Sequence, residues 1–151
     1  MENQRTIRKE IQIKGKGIHT ANPVTIRFIP AGADTGILFK RTDLTDAPVI
    51  KAAAGHILDN NKSPRHTSLG YKGVEIQTVE HLMASLSALR IDNLLIEVDN
   101  IEIPALDGSA LSFIKILKEA GIEELDSRRK VVVLKEPVCV DSEDAFICAM
   151  P

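Results

Sequence analysis

Glu80 and His81, adjacent in the segment QTVEHLMASL (77–86), are the residues best suited to chemistry. An imidazole can hold Zn²⁺, and a carboxylate beside it can handle the proton of the water that the metal acidifies. Together they make half of a hydrolytic metal site. Neighbours on a helix project about 100° apart, so mid-helix the two would not meet. In a first turn that abuts a cleft both can reach it. The exposed N–H groups and positive dipole end there favour an ionised carboxylate.

Three further histidines are candidates. His19 lies in the glycine-flanked GKGIHTA, where missing side chains let the backbone approach a ligand closely. His66 stands in RHTSLG, and His56 stands in AAAGHIL with no partner suggested by its neighbours. No HExxH, CxxC or His-x-His spacing ties two of these into a ligand set, so residue types alone yield one adjacent pair. The other unusual stretch is IEIPALDGSA (101–110), where Asp107-Gly108-Ser109 reads as a tight turn with Asp107 or Ser109 capping a helix. The glycines of GKGIH match neither GK[ST] nor GxGxxG, so phosphate cradling finds little support.

Those residues must be held by an alternation of strands and helices. Residues 5–14 alternate with Ile7, Ile11 and Ile13 on one face, a half-buried strand followed by a Gly-Lys-Gly turn. Residues 23–30, PVTIRFIP, alternate again through Val24, Ile26 and Phe28. Shorter strands are expected at 37–39, 47–54 and 74–77, with a polar loop at 60–65. Thr78 is the expected N-cap of a helix whose stripe is Leu82, Leu86 and Leu89 and which stops near Arg90. LLIEV (94–98) reads as a central strand. A second helix over 110–120 has Leu111, Ile114 and Leu117 as its expected buried stripe, with Phe113 beside them and Gly121 at C′.

The charged run 123–130 is the expected linker, followed by strands at 131–134, 139–140 and 145–150. Residues 129–151 repeat the outline of 5–30, with ICAMP answering IRFIP. On pattern alone a second domain beginning near 130 and a terminal hairpin completing the first sheet stand level.

Composition narrows the function. The 151 residues fit one ordinary domain, and 44% hydrophobic with 26% charged residues is typical of a globular chain. A net charge of −2 removes the electrostatic case for nucleic acid, and 3% aromatics with no Trp removes a base-stacking platform. No apolar run approaches the length of a membrane span, and the first ten residues lack the apolar core of a signal peptide, so a cytoplasmic protein is expected. Cys139 and Cys148 could face each other across a hairpin; two ordinary buried thiols are expected in that compartment.

Taken in order, GKGIHT, TGILFKRTDL, QTVEHLMASL, IDNLLIEV and EIPALDGSA resemble the UDP-3-O-acyl-N-acetylglucosamine deacetylase family across residues 5–151. The resemblance implies an α/β (α+β) fold, a two-layer sandwich of a mixed sheet packed on two helices. It implies a first domain over 5–126, a linker at 127–130 and the opening strands of a second, similar domain at 131–151. It implies a Zn²⁺-dependent amidohydrolase of lipid A biosynthesis in Gram-negative bacteria, removing acetate from the sugar nitrogen of UDP-3-O-acyl-N-acetylglucosamine. His81 then matches a zinc ligand and Glu80 the general base. Ile18 and His19 match the loop lining the active site, and His66 and Thr67 the segment reaching the substrate side. The family's further His and Asp ligands, its general-acid His and its acyl passage have no counterpart in these residues, so the chain alone is expected to be inactive. The alternative is a non-catalytic binding or regulatory module derived from that fold.

Overall fold

Apolar residues at every second position of PVTIRFIP build the row on which the molecule is organised. The structure is a computed structural model and describes residues 2–59 and 65–151. The polar loop expected at 60–65 lies, apart from Arg65, outside the described residues. The strands are β1 (Asn3–Ile7), β2 (Ile11–Lys16), β3 (Pro23–Pro30), β4 (Ile37–Arg41), β5 (Ile50–Lys51), β6 (Leu69–Tyr71) and β7 (Val74–Ile76). Helix α1 (Glu80–Leu89) precedes β8 (Leu94–Val98). Helix α2 (Ala110–Glu119) is followed by β9 (Ile122–Arg128), β10 (Val138–Ser142) and β11 (Ala145–Ala149).

The main sheet runs β2-β3-β8-β4-β5, antiparallel except where β4 lies parallel to β8. Register aligns Ile11, Phe28, Ile96, Phe39 and Ile50 across all five strands. Leu82 and Leu86 of α1 and Phe113 and Leu117 of α2 join that row in one buried cluster. The next register position alternates to the other face, as the pleat requires, and carries Gln12, Arg27 and Glu97. The result is the mixed α+β, two-layer architecture expected.

Several elements differ from the sequence expectations. The alternating strand of 5–14 breaks at residues 8–10, because β1 leaves the main sheet and pairs with β9. The backbone N–H groups of Arg8 and Lys9 donate to the carbonyls of Gly121 and Ala120 at the end of α2. The charged run expected as a linker is therefore mostly strand, with Glu123 and Glu124 opposite Thr6 and Arg5. Its charge suits a solvent-facing edge, where Arg5 and Glu124 form a 2.9 Å ion pair.

Only Ile50–Lys51 of the strand expected at 47–54 pairs; a 3₁₀ turn, Ala54–His56, takes over. The stripe of α2 is rotated: Phe113 and Leu117 are buried, while Leu111 is 52% exposed. Gly121 does stand just past the helix in the left-handed region, φ +75°.

The C-terminal segment is set apart. Residues 129–137 form neither helix nor strand, so the strand expected at 131–134 does not form; Val131, Val132 and Val133 are exposed, with no strand beside them among the described residues. β10 and β11 pair only with each other among the described strands. Their register, closing on Ser142 opposite Ala145, places Cys139 across from Cys148 at a Cα separation of 4.1 Å, and the two form a disulfide. The expectation of two buried thiols is corrected by that register, which brings the sulfurs together on an exposed hairpin. Brief thermolysin treatment is expected to cut first within 131–134, where bare valines sit in unpaired backbone, and leave a resistant body ending near Lys130. Mass spectrometry of the products checks this, and first cleavage inside the main sheet would contradict it.

Candidate active site

Helix α1 starts where three segments distant in sequence meet. The β2–β3 connection brings Gly17 to Asn22, the stretch after Arg65 brings His66 and Thr67, and the run between β8 and α2 brings Glu102 to Leu106. Gln77 stitches the third to the helix entrance: its N–H donates to the Ile101 carbonyl (2.8 Å) and its carbonyl accepts from Ile103 N–H (3.1 Å). Ala105 N–H donates to the Lys16 carbonyl (2.9 Å), closing the first segment on the third. Val79 N–H donates to the Thr67 carbonyl (3.2 Å), joining the second.

The cap expected at Thr78 is corrected. Val79 occupies the N-cap position without a side-chain bond, and Thr78 sits one residue earlier in the left-handed region, φ +61°. A capping Thr needs extended backbone to turn its oxygen onto the following N–H groups. Here the hydroxyl points elsewhere and donates to Glu102 Oε1 at 3.1 Å. A β-branched residue with that backbone costs on the order of 1–3 kcal/mol and persists only where its surroundings hold it.

Of the residues proposed from sequence, the structure joins Glu80 to Thr67, whose backbone N–H donates to Glu80 Oε2 at 3.0 Å. It brings His19 to His66, with ring centroids 4.9 Å apart and planes tilted by 39°. His66 Nε2 is buried without a hydrogen-bond partner among the described residues. Ile18 is 61% exposed, an apolar side chain held out at the loop tip. His81 follows Glu80 in the first turn of α1, half-buried. His56 is away from this cluster; its Nδ1 lies 2.7 Å from the Lys51 carbonyl oxygen and its ring meets Tyr71, partners its neighbours in sequence did not suggest. Among the described residues no group of three His, Cys, Asp or Glu is arranged to hold a metal ion.

Sequence reasoning singled out IEIPALDGSA for its turn, and the turn is there: Ser109 Oγ accepts from Leu111 N–H at 3.1 Å and caps α2. It missed Glu102 in the same stretch. That carboxylate is 1% exposed and accepts from His19 N–H (3.0 Å), Thr20 N–H (2.8 Å), Thr20 Oγ1 (2.7 Å) and Thr78 Oγ1 (3.1 Å). Burial pushes its carboxyl up, and the bonds from His19, Thr20 and Thr78 together outweigh it, holding the group below the usual Glu value. The available signal was a Glu flanked by Ile101 and Ile103, a charge in an apolar run that calls for buried donors.

The family model for UDP-3-O-acyl N-acetylglycosamine deacetylase matches residues 4–151. A Bdellovibrio bacteriovorus protein, UDP-3-O-acyl-N-acetylglucosamine deacetylase, is 44% identical over 148 residues, 98% of this chain and 48% of the relative. A Ruthia magnifica protein of the same name is 40% identical over 146 residues, 97% of this chain and 47% of the relative. The chain spans about half the length of the curated relatives it matches. With nearly every residue matched by the family model, and GKGIHT, QTVEHLMASL and EIPALDGSA folded against one another at the head of α1, the chain belongs to the UDP-3-O-acyl N-acetylglycosamine deacetylase family.

Proposed function

We propose that this chain contributes the base and one metal-binding imidazole to a zinc-dependent deacetylase. The enzyme would remove acetate from UDP-3-O-acyl-N-acetylglucosamine in lipid A biosynthesis, in the cytoplasm. The observation that carries the reading is the convergence of the His19 loop, the His66–Thr67 stretch and the Glu102 run on the turn that presents Glu80 and His81. The names of the relatives supply the reaction and substrate.

The described residues alone do not fit catalytic zinc, which takes three protein ligands as a rule. The reading therefore places the remaining ligands in the half of the relatives that this chain does not span. Zn²⁺, when bound, supplies an acidified water and a polarised amide carbonyl. Glu80 is the proton acceptor, its carboxylate oriented by the Thr67 N–H. His19 and His66 line the same side, and exposed Ile18 offers an apolar contact to the substrate. The apolar hairpin of Val138, Val140, Phe146 and Ile147 supports residues 131–151 as the start of a second layer, since a lone two-stranded hairpin is marginal in water. No helix among the described residues is long and apolar enough to cross a membrane.

Zinc titration and acetate release, run on the 151 residues alone and on a polypeptide completed to the length of the relatives, test the reading. The short chain is expected to bind zinc weakly and to turn over negligibly. The completed one is expected to release acetate and to lose that activity to a chelator. Stoichiometric tight zinc with turnover by the short chain would overturn the shared-site reading; no acetate from the completed polypeptide would overturn the deacetylase reading.

A further inference from the structure

We infer that Glu102 is a positioning residue for this reaction, clamping the His19 loop to the turn that presents Glu80; the inference rests on the function proposed above. Both ends of the clamp lead to the site. From one side His19 and Thr20 donate their backbone N–H groups, and Thr20 adds its hydroxyl. From the other, Thr78 donates its hydroxyl two residues before Glu80. All four donors are neutral, so the buried charge is balanced by hydrogen bonds, each stronger for the ionised acceptor. An ionised carboxylate without them would be expensive to bury.

Two further features belong to the same device. A Cβ at Gly17 would stand 2.1 Å from Glu102 Oε2 and 2.5 Å from Thr20 Oγ1, so the loop closes on the carboxylate only because residue 17 has no side chain. Thr78 keeps its left-handed backbone, φ +61°, while its hydroxyl is tied to Oε1. Release of that tie removes a restraint on the entrance to α1, and Glu80 is the first residue of that helix. Glu102 therefore acts through other groups and reaches no reacting atom itself.

The test is Glu102→Gln, with Thr20→Val as a milder second variant that removes one of the four donors and leaves the carboxylate in place. Glutamine keeps the volume but presents an NH₂ to donors. In the completed deacetylase kcat is expected to fall about 10- to 100-fold for Glu102→Gln, a loss of the size that misplacing a catalytic group produces. The loss for Thr20→Val should be smaller and in the same direction. The second measurement needs no activity: ¹⁵N NMR of the 151-residue chain. Glu102→Gln is expected to shift and speed exchange of the His19 and Thr20 amides, and also of the Thr67 amide, which bonds Glu80 and makes no bond to Glu102. A simple loop anchor would move the first two and leave Thr67 alone. If Glu102→Gln unfolds, Thr20→Val decides by the same two readouts. If the wild-type completed protein releases no acetate, the deacetylase reading falls and the Thr67 amide still judges the clamp. An unmoved Thr67 amide, or kcat unchanged in folded variants, overturns the inference.

Discussion

Replacing Glu80 with glutamine is expected to lower kcat of the completed deacetylase by about 10²- to 10⁴-fold, the range a positioned general base supplies. The substitution is nearly isosteric. Its amide oxygen can still accept from Thr67 N–H, the bond that orients the carboxylate among the described residues, so the turn at the head of α1 stays in place. Glu80 is half-buried at the helix N-terminus, and neutralising it should lower folding stability by about 1 kcal/mol or less. Urea unfolding of the 151 residues checks the second point and steady-state kinetics the first. Comparison with Glu102→Gln sharpens the result: each removes one negative charge, yet only the Glu102 variant should disturb the His19 and Thr20 amides. A Glu80→Gln enzyme within threefold of wild type would remove the proton-acceptor role and leave Glu80 as a structural link to Thr67.

What could be read from sequence and what could not divides along the range of the physics. LLIEV reads as a central strand because a short apolar run between turn signals suits a strand with neighbours on both edges, and β8 is flanked by β3 and β4. The stripe of Leu82 and Leu86 and the glycine stop at Gly121 are equally local. Alternation tells which face of a strand is buried and nothing about its partner. Residues 5–14 therefore look like one strand, whereas β1 and β2 belong to different sheets, and a charged run reads as a linker although β1 needs it as an edge. Val131 to Val133 have strand propensity and, among the described residues, no strand to pair with.

The same division runs through the site. Glu80, His81, His19 and His66 declare themselves by residue type. The bonds that assemble them are long-range, 82 and 83 positions from Glu102 to Thr20 and His19. Thr78 shows the conflict directly: local preference makes it a cap, and tertiary bonding turns its hydroxyl to Glu102 instead.

That dependence on distant pairing makes Phe28→Ala the most damaging single change expected for the fold. The chain has four Phe, one Tyr and no Trp, and three of those Phe (Phe28, Phe39 and Phe113) are fully buried. An aromatic-poor core has few large side chains among which to share a loss. Phe28 sits fully buried in the five-strand row between Ile11 and Ile96, so its removal opens a cavity under the sheet's apolar face. The expected loss is about 3–5 kcal/mol, a large share of the roughly 5–15 kcal/mol that holds a domain folded. It should appear in urea unfolding as a lower midpoint with unchanged slope. Phe146→Ala is the control: that ring is 67% exposed on the isolated hairpin and should cost about 0.5 kcal/mol or less. The consequence reaches the site, because β2 and β3 carry the His19 loop as their connection. Partial unfolding of this sheet would free the loop from Glu102 before any catalytic group is altered, so Phe28→Ala should lose the His19 and Thr20 amide protection together with its stability. Equal midpoints for the two Phe variants would mean that the row does not hold the sheet.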